Sequence, residues 1–441
     1  MGQPRALLKR TLTTTALVFV MFFTVSGGAY TTETLVARVG PGVALLTLLL
    51  VPLFWSLPET LIIGELASMI PEEGGYYRWV RRAFGPFWGF QNGWATLLYS
   101  LVDMAIYPVL FNQYLAWFFP SFAPQHHWLI SLAVIWSVTA VNLRGALPVG
   151  RVSIAAGSFV LLGFVALAVF ALPRANHLPW LPFGHPASTA SAGFAVALST
   201  ALWNFIGWDN ASTVQGEVVD ASRSYPRALF VALPLVTLGY FVPLLPALAA
   251  GDWTTWGEGS WPAIAMSVAG RAGPIIATWI AVGGLVSALA LFNALLLSYS
   301  RIPLAMAEDG LLPAVLARTD SRGTPRPAVL ASAACYSVFV LLPFSKLVVA
   351  DVLLYGAALL LEFGALIALR RREPALRGVY RIPTGTVGVT VLAALPATVF
   401  AIVVWLSIRD GGVSTLTLLG SLAGLALGPA LYLWLRPRNA D

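Results

Sequence analysis

The sequence predicts an all-α integral membrane protein with twelve transmembrane helices: a five-plus-five inverted repeat carrying two appended helices. Three observations predict it. The first is an apolar excess that no soluble core absorbs. The others are basic residues gathered in alternate loops, and two apolar runs that each break at their own midpoint. Hydrophobic residues make up 58% of the 441 and charged residues 10%, against about 25% charged in an ordinary soluble domain. Most of that apolar surface must face lipid.

Asking each span for roughly 20 apolar residues places them at 13–37, 42–69, 86–118, 128–143, 149–172, 192–216, 226–249, 273–301, 327–344, 348–370, 386–408 and 414–436. Orientation follows from the cations. With a cytoplasmic N-terminus, 21 of the 26 Lys+Arg fall inside, among them Arg5, Arg10, Arg78, Arg81, Arg82, Arg223, Arg227, Arg301, Arg370, Arg436 and Arg438. Arg38, Arg174, Arg271, Lys346 and Arg409 fall outside. The expected protein is therefore a multi-pass plasma-membrane protein with both termini cytoplasmic. Its net charge of +7 is an orientation signal and not a nucleic-acid footprint.

Several classes are excluded. No small-x-small site closes the basic and apolar start of residues 1–24, so a cleaved signal is not expected. Cys335 is the single cysteine and lies in an apolar span, which leaves no disulfide framework. His126, His127, His177 and His185 fall in outer loops without metal-ligand spacing, so no metal site is expected. No phosphate-binding glycine loop with its lysine is present, which argues against an ATP-driven pump. A membrane enzyme would need a nucleophile–base pair, and no histidine lies in any span.

Span 1 breaks at VSGGAYTTE (25–33) and span 6 at ALWNFIGWDNAS (201–212). Unwound backbone at membrane depth survives only where protein buries it or where it lines a cavity. Interrupted spans at corresponding positions of two halves point to a transporter's binding site. They open two sets of five spans, residues 12–172 and 190–371, followed by the appended pair at 385–436. Span 1 starts inside and span 6 outside, so the sets are inverted within one transport domain, 1–441. Half-helix ends at each break offer partial charges of both signs.

The acids within spans are Glu33, Glu59, Glu65, Asp103, Asp209, Glu217, Asp351 and Glu362, with no Lys or Arg near mid-span. Such groups mark substrate or ion paths by default, and an arriving ammonium would neutralise them. Asp103 is mid-span, flanked at i−4 and i+4 by Tyr99 and Tyr107. It reads as an amine ligand or as a tyrosine-satisfied structural acid. Asp209 reads equally as a ligand or as a helix N-cap, and Glu33 as a ligand or as dipole compensation capped by Thr31 and Thr32. Glu65 and Glu217, near Arg78, Arg81, Arg82, Arg223 and Arg227, read as solvated end charges or as an inner gate of ion pairs. Asp351 and Glu362 carry no assignment. Tyr30, Trp203, Phe205 and Trp208 surround the breaks, and Phe205 and Trp208 are placed to cover an amine and act as a thin gate.

At these residues the chain resembles the amino acid–polyamine–organocation superfamily. VSGGAYTTE is similar to its first-span glycine motif, IPEEGGYYRWVRRAFGPFWGFQNGW (70–94) to its loop between spans 2 and 3, and GWDNASTVQGEVVDASRSYPRAL (207–229) to its span 6. RIPLAMAEDGLLPAVLARTDSRGTPRPA (301–328) resembles the segment after span 8. Plant-type polyamine uptake transporters and the light subunits of heteromeric amino acid transporters are the nearest groups. SGGAYTTE, WSLPETLIIGELA, LVDMAIYPVLF and WDNAST favour the former. The resemblance implies a leucine-transporter-like fold and a substrate site between spans 1, 3, 6 and 8. Carried over, its residues are Val25, Ser26, Gly27, Gly28 and Ala29, then Asn204, Phe205, Gly207, Trp208 and Asp209, with Asp103 and Tyr107; Asn293 of span 8 is a further candidate.

Two departures bear on mechanism. Span 8 reads LFNALLLSYSR, poorer in acids than polyamine-group members, which keeps a zwitterionic amino acid open. Span 5 lacks the lysine of proton-coupled relatives, so a proton, sodium or plain exchange all stay open. The expected function is secondary transport of polyamines or cationic amino acids by alternating access. The alternative is a neutral or broad-specificity amino acid symporter or exchanger. The expected partners are the amine or amino acid substrate and membrane lipid. No cofactor, nucleic acid or disulfide-linked heavy chain is expected, and the sequence carries no signature of an oligomeric state.

Overall fold

The computed structural model describes residues 8–185, 192–340, 344–409 and 415–435. Arg5, Arg436, Arg438, both chain ends, residues 341–343 of expected span 9 and both ends of expected span 12 lie outside them. The described residues are all-helical. They form no strand beyond an isolated bridge between Leu12 and Val218. Among them seven helical stretches are long and apolar enough to cross a membrane: Pro41–Met69, Pro86–Phe118, Ala146–Arg174, Ala221–Ala250, Gly270–Glu308, Asp351–Arg372 and Thr386–Leu406. Thr14–Val25, His127–Asn142 and Leu419–Leu435 are apolar but shorter.

Six elements build the site: α1 (Thr14–Val25), α2 (Thr32–Val39), α3 (Pro86–Phe118), α4 (Ala192–Trp203), α5 (Gly273–Tyr299) and α6 (Phe344–Arg372). Expected span 3 coincides with α3 to the residue. Expected span 6 does not resume as an α-helix after its break. Residues Asn210–Glu217 form a 3₁₀ helix with Val214 out of helical geometry. Ser and Thr at 212 and 213, competing for backbone partners, suit that tighter turn.

The bundle exposes apolar side chains and buries its span acids within a largely apolar core. Leu46, Leu49, Leu50 and Leu53 lie exposed at helical spacing on the Pro41–Met69 stretch, whereas Glu59 and Glu65 on the same stretch are buried. Within that stretch a π-turn over Pro52–Ser56 absorbs the amide that Pro52 lacks. It turns Ser56 inward onto the Phe205 carbonyl at 3.3 Å. Helix α3 packs lengthwise against α5 and α6, which brings residues of spans 3, 8 and 10 together at mid-depth.

Candidate substrate site at the helix breaks

Both expected breaks are present. Helix α1 ends at Val25 because Gly27 (φ 71°) and Gly28 (φ 109°) take left-handed conformations that other residues avoid. After α4, Gly207 (φ 98°) does the same, and a Cβ there would lie 2.3 Å from the Thr24 carbonyl oxygen. The two breaks therefore touch. Thr24 Oγ1 donates to Gly207 O at 3.3 Å, and Thr31 Oγ1 to Asn204 Oδ1 at 3.2 Å.

The freed peptide groups are met by side chains. Ser287 donates to Gly27 O at 2.6 Å, Trp261 Nε1 to Ala29 O at 2.8 Å, Tyr240 to Asn204 O at 2.5 Å and Tyr225 to Trp208 O at 2.9 Å. Trp208 Nε1 closes on Phe205 O at 2.8 Å. Buried backbone demands partners, and at these break carbonyls neighbouring hydroxyls and indoles supply them.

Between the breaks lies a narrow cavity with room for roughly one water. Its wall holds Thr24 and Val25 from α1, Trp203 from α4, and Gly207 and Asn210 from the second break. Asp103 and Tyr107 come from α3, Tyr299 from α5, and Asp351 and Tyr355 from α6. No Lys, Arg or His is among the lining residues. Asp103 accepts from Tyr107 at 2.5 Å, from Tyr299 at 2.7 Å and from the Trp203 indole. Tyr99, expected as a second donor, instead points to Tyr76 (3.4 Å) and Asn210 (3.3 Å). Asp351 lies close to Asp103, and its Oδ1 has no hydrogen-bond partner.

Asp209 is buried behind this wall. Its side chain makes no cap bond. Instead Tyr355 Oη lies 2.6 Å from Asp209 Oδ1 and 2.7 Å from Glu59 Oε1, and accepts from the Gly207 amide at 3.0 Å. Glu362 adjoins Asp209 and Asn92. Glu59, Asp209 and Glu362 thus gather around one phenol.

The other sequence-selected residues are dispersed. Val25 and Gly207 line the cavity, whereas Ser26 stabilises the first break by accepting from Gly28 N at 3.1 Å. Tyr30 lies outside the cavity lining, donating to Ile280 O at 2.9 Å and packed against Tyr114 and Phe164. Glu33 receives the Gly259 amide at 3.0 Å; neither Thr31 nor Thr32 caps its helix by side chain in the expected way. Asn293 accepts from Asn142 at 2.8 Å, away from the cavity. Phe205 packs edge-on against Tyr240 at 5.1 Å. Of the four aromatics at the breaks, Tyr30, Trp203, Phe205 and Trp208, it is Trp203 that lines the cavity, stacked on Tyr107 at 6.4 Å.

Glu65 and Glu217 are buried and paired, with partners other than those expected. Glu65 forms a bidentate pair with Arg370 (2.7 and 2.5 Å), and Glu217 meets Arg301 at 2.6 Å. Arg78 and Arg81 turn instead to Asp309, and Arg82 to Glu373. The chain returns arginines from the ends of spans 8 and 10 onto these acids, a long-range closure that linear proximity does not reveal. Beside Arg301, Glu73 in the Ile70–Gly74 loop receives the Gly216 amide at 2.9 Å. Burial first, and then the Glu217 charge, push its carboxyl above the ordinary value, while Arg301 pulls the other way. Of the eight span acids, Glu33, Glu59, Asp103, Asp209, Asp351 and Glu362 make no ion pair among the described residues.

Asp351, Tyr299, Tyr355 and Asn210 are cavity residues that sequence reasoning did not select. Asp351 carried a signal as an unassigned acid within a span. The tyrosines carried none, because nothing local pairs them with acids on other helices.

A family model described as amino acid permease matches residues 10–418. The chain belongs to this family. The permease is therefore a multi-pass membrane transport protein and not an enzyme. It is 36% identical to polyamine transporter PUT1 of Oryza sativa subsp. japonica, over 99% of this chain and 82% of that one. With polyamine transporter RMV1 of Arabidopsis thaliana the permease shares 35% identity, over 95% and 85% of the two chains. An uncharacterized transporter, lpg1691, of Legionella pneumophila subsp. pneumophila is 27% identical over 77% of each chain.

Proposed function

We propose that this permease is a secondary transporter of polyamines, with cationic amino acids as the competing substrate class, working by alternating access across the plasma membrane. One observation carries the reading: a buried cavity at the contact of two broken helices, walled by Asp103 and Asp351 and by no cationic side chain. The resemblance to proteins named as polyamine transporters supports the same class. The twelve-span, five-plus-five inverted arrangement with cytoplasmic termini belongs to this proposal, supported by the paired breaks and by the distribution of 21 and 5 cations.

In this reading the Tyr30, Glu33 and Trp261 contacts close the outer side, and Glu217, Arg301 and Glu73 form the inner gate. Glu65 and Arg370 brace spans 2 and 10. Phe205 and Trp208 support the second break from behind, and Trp203 covers the amine.

Uptake into proteoliposomes tests it. Spermidine or putrescine should compete with labelled substrate more strongly than arginine, and leucine should compete least. Absence of inhibition by any polyamine would overturn the polyamine assignment.

A further inference from the structure

We infer that Asp351 is a substrate-binding residue which, with Asp103, grips an ammonium group, and that the site takes amines lacking a carboxylate. This rests on the cavity being the substrate site. Asp351 is 2% exposed, lines the cavity beside Asp103, and has an unpartnered Oδ1. A buried carboxylate without a partner is costly, and an arriving cation removes the cost. Asp103 already receives three donors, so of the two acids Asp351 has the free acceptor. The carboxyl-terminal end of α1, at Thr24 and Val25, adds partial negative charge to the same cavity.

The donor side decides the class. A substrate carboxylate needs N–H or O–H donors, and the glycine amides at both breaks are spent on the protein's own acceptors. The Gly28 amide goes to Ser26 Oγ and the Gly207 amide to Tyr355 Oη. The Trp208 amide faces the Glu59 carboxylate, that of Asp209 faces its own carboxylate, and that of Asn210 donates to Gly207 O at 3.2 Å. Tyr107 and Tyr299 both donate to Asp103. Two protein carboxylates thus stand where an amino acid would place its own. An incoming anion there meets like charge.

Diamines and their parent amino acids differ by that one group, which makes the pairs cadaverine–lysine and putrescine–ornithine the test. Binding is measured by titration calorimetry on the purified full-length protein. Each diamine should bind at least about 10-fold tighter than its amino acid, the equivalent of one charge-assisted hydrogen bond. Asp351→Asn should weaken cadaverine by about 10-fold, and Asp351→Glu should restore part of it. Equal affinity for lysine and cadaverine would overturn the inference while leaving a transporter of cationic solutes standing. Unchanged cadaverine affinity in folded Asp351→Asn would remove Asp351 from the site. Failure of every amine and amino acid to bind the wild-type protein would overturn both this inference and the transport reading.

Discussion

Replacing Glu65 by Gln perturbs a fully buried ion pair. Arg370 donates to Glu65 Oε1 at 2.7 Å and Oε2 at 2.5 Å, and also to Thr384 O at 2.6 Å and Ile382 O at 3.1 Å. The Ile382 amide donates to the same Oε2 at 2.8 Å. Glutamine is nearly isosteric, yet its NH₂ would face two donors and its charge is gone. Unit charges about 4 Å apart interact by about 4 kcal/mol at an effective dielectric of 20. An unmet buried donor adds about 1–3 kcal/mol. The amide oxygen, still accepting from Arg370 Nε, offsets part of this. The net loss should be about 3–5 kcal/mol, the range for stranding one partner of a buried pair. Reversible SDS unfolding in mixed micelles reads this directly. Glu65→Leu with Arg370→Met should recover most of the loss, because no charge is then stranded. A destabilisation under about 1 kcal/mol, the level of an exposed pair, would refute the reasoning. Raised access to the cavity from the cytoplasmic side at unchanged stability would instead make this pair a gate.

Three further outcomes are expected. Asp103→Asn should weaken binding of a diamine about 10- to 100-fold, the size of a lost charge-assisted bond, and affect a neutral solute less; equal loss for both would assign Asp103 to structure. Gly207→Ala forces a Cβ to within 2.3 Å of the Thr24 carbonyl oxygen at φ 98°; folded yield on size exclusion should fall sharply, and a wild-type yield would show that the breaks do not touch. Glu73 has its folded-state pKa raised, so its contribution to stability is fully present below the ordinary value of 4.5 and is lost as pH rises through the folded value. With Glu217, Glu308 and Arg301 facing it, Glu73→Gln should stabilise the protein at neutral pH and flatten the stability–pH curve above pH 4.5, as read by thermal unfolding across pH; a parallel downward shift of the curve would contradict this.

Much of the bundle was legible because hydrophobic runs and glycine conformations are local properties. Gly27, Gly28 and Gly207 announced their left-handed geometry by residue type, and α3 was readable end to end from Pro86 to Phe118. Partners were not. Glu65 and Arg370 stand 305 positions apart, and Tyr299 reaches Asp103 across 196. Proximity along the chain pointed Glu65 towards arginines that in fact hold Asp309 and Glu373.

The sequence alone determined that the chain is a helical membrane protein, where two of its helices must unwind, and that buried acids exceed the cations available near mid-span. These follow from solvent transfer and backbone sterics, which act residue by residue. Tertiary packing alone decided which acids are neutralised by arginine, which peptide groups the hydroxyls consume, and which carboxylates face the cavity. Those depend on side chains meeting from distant helices at hydrogen-bond range, and no one-dimensional pattern encodes that distance.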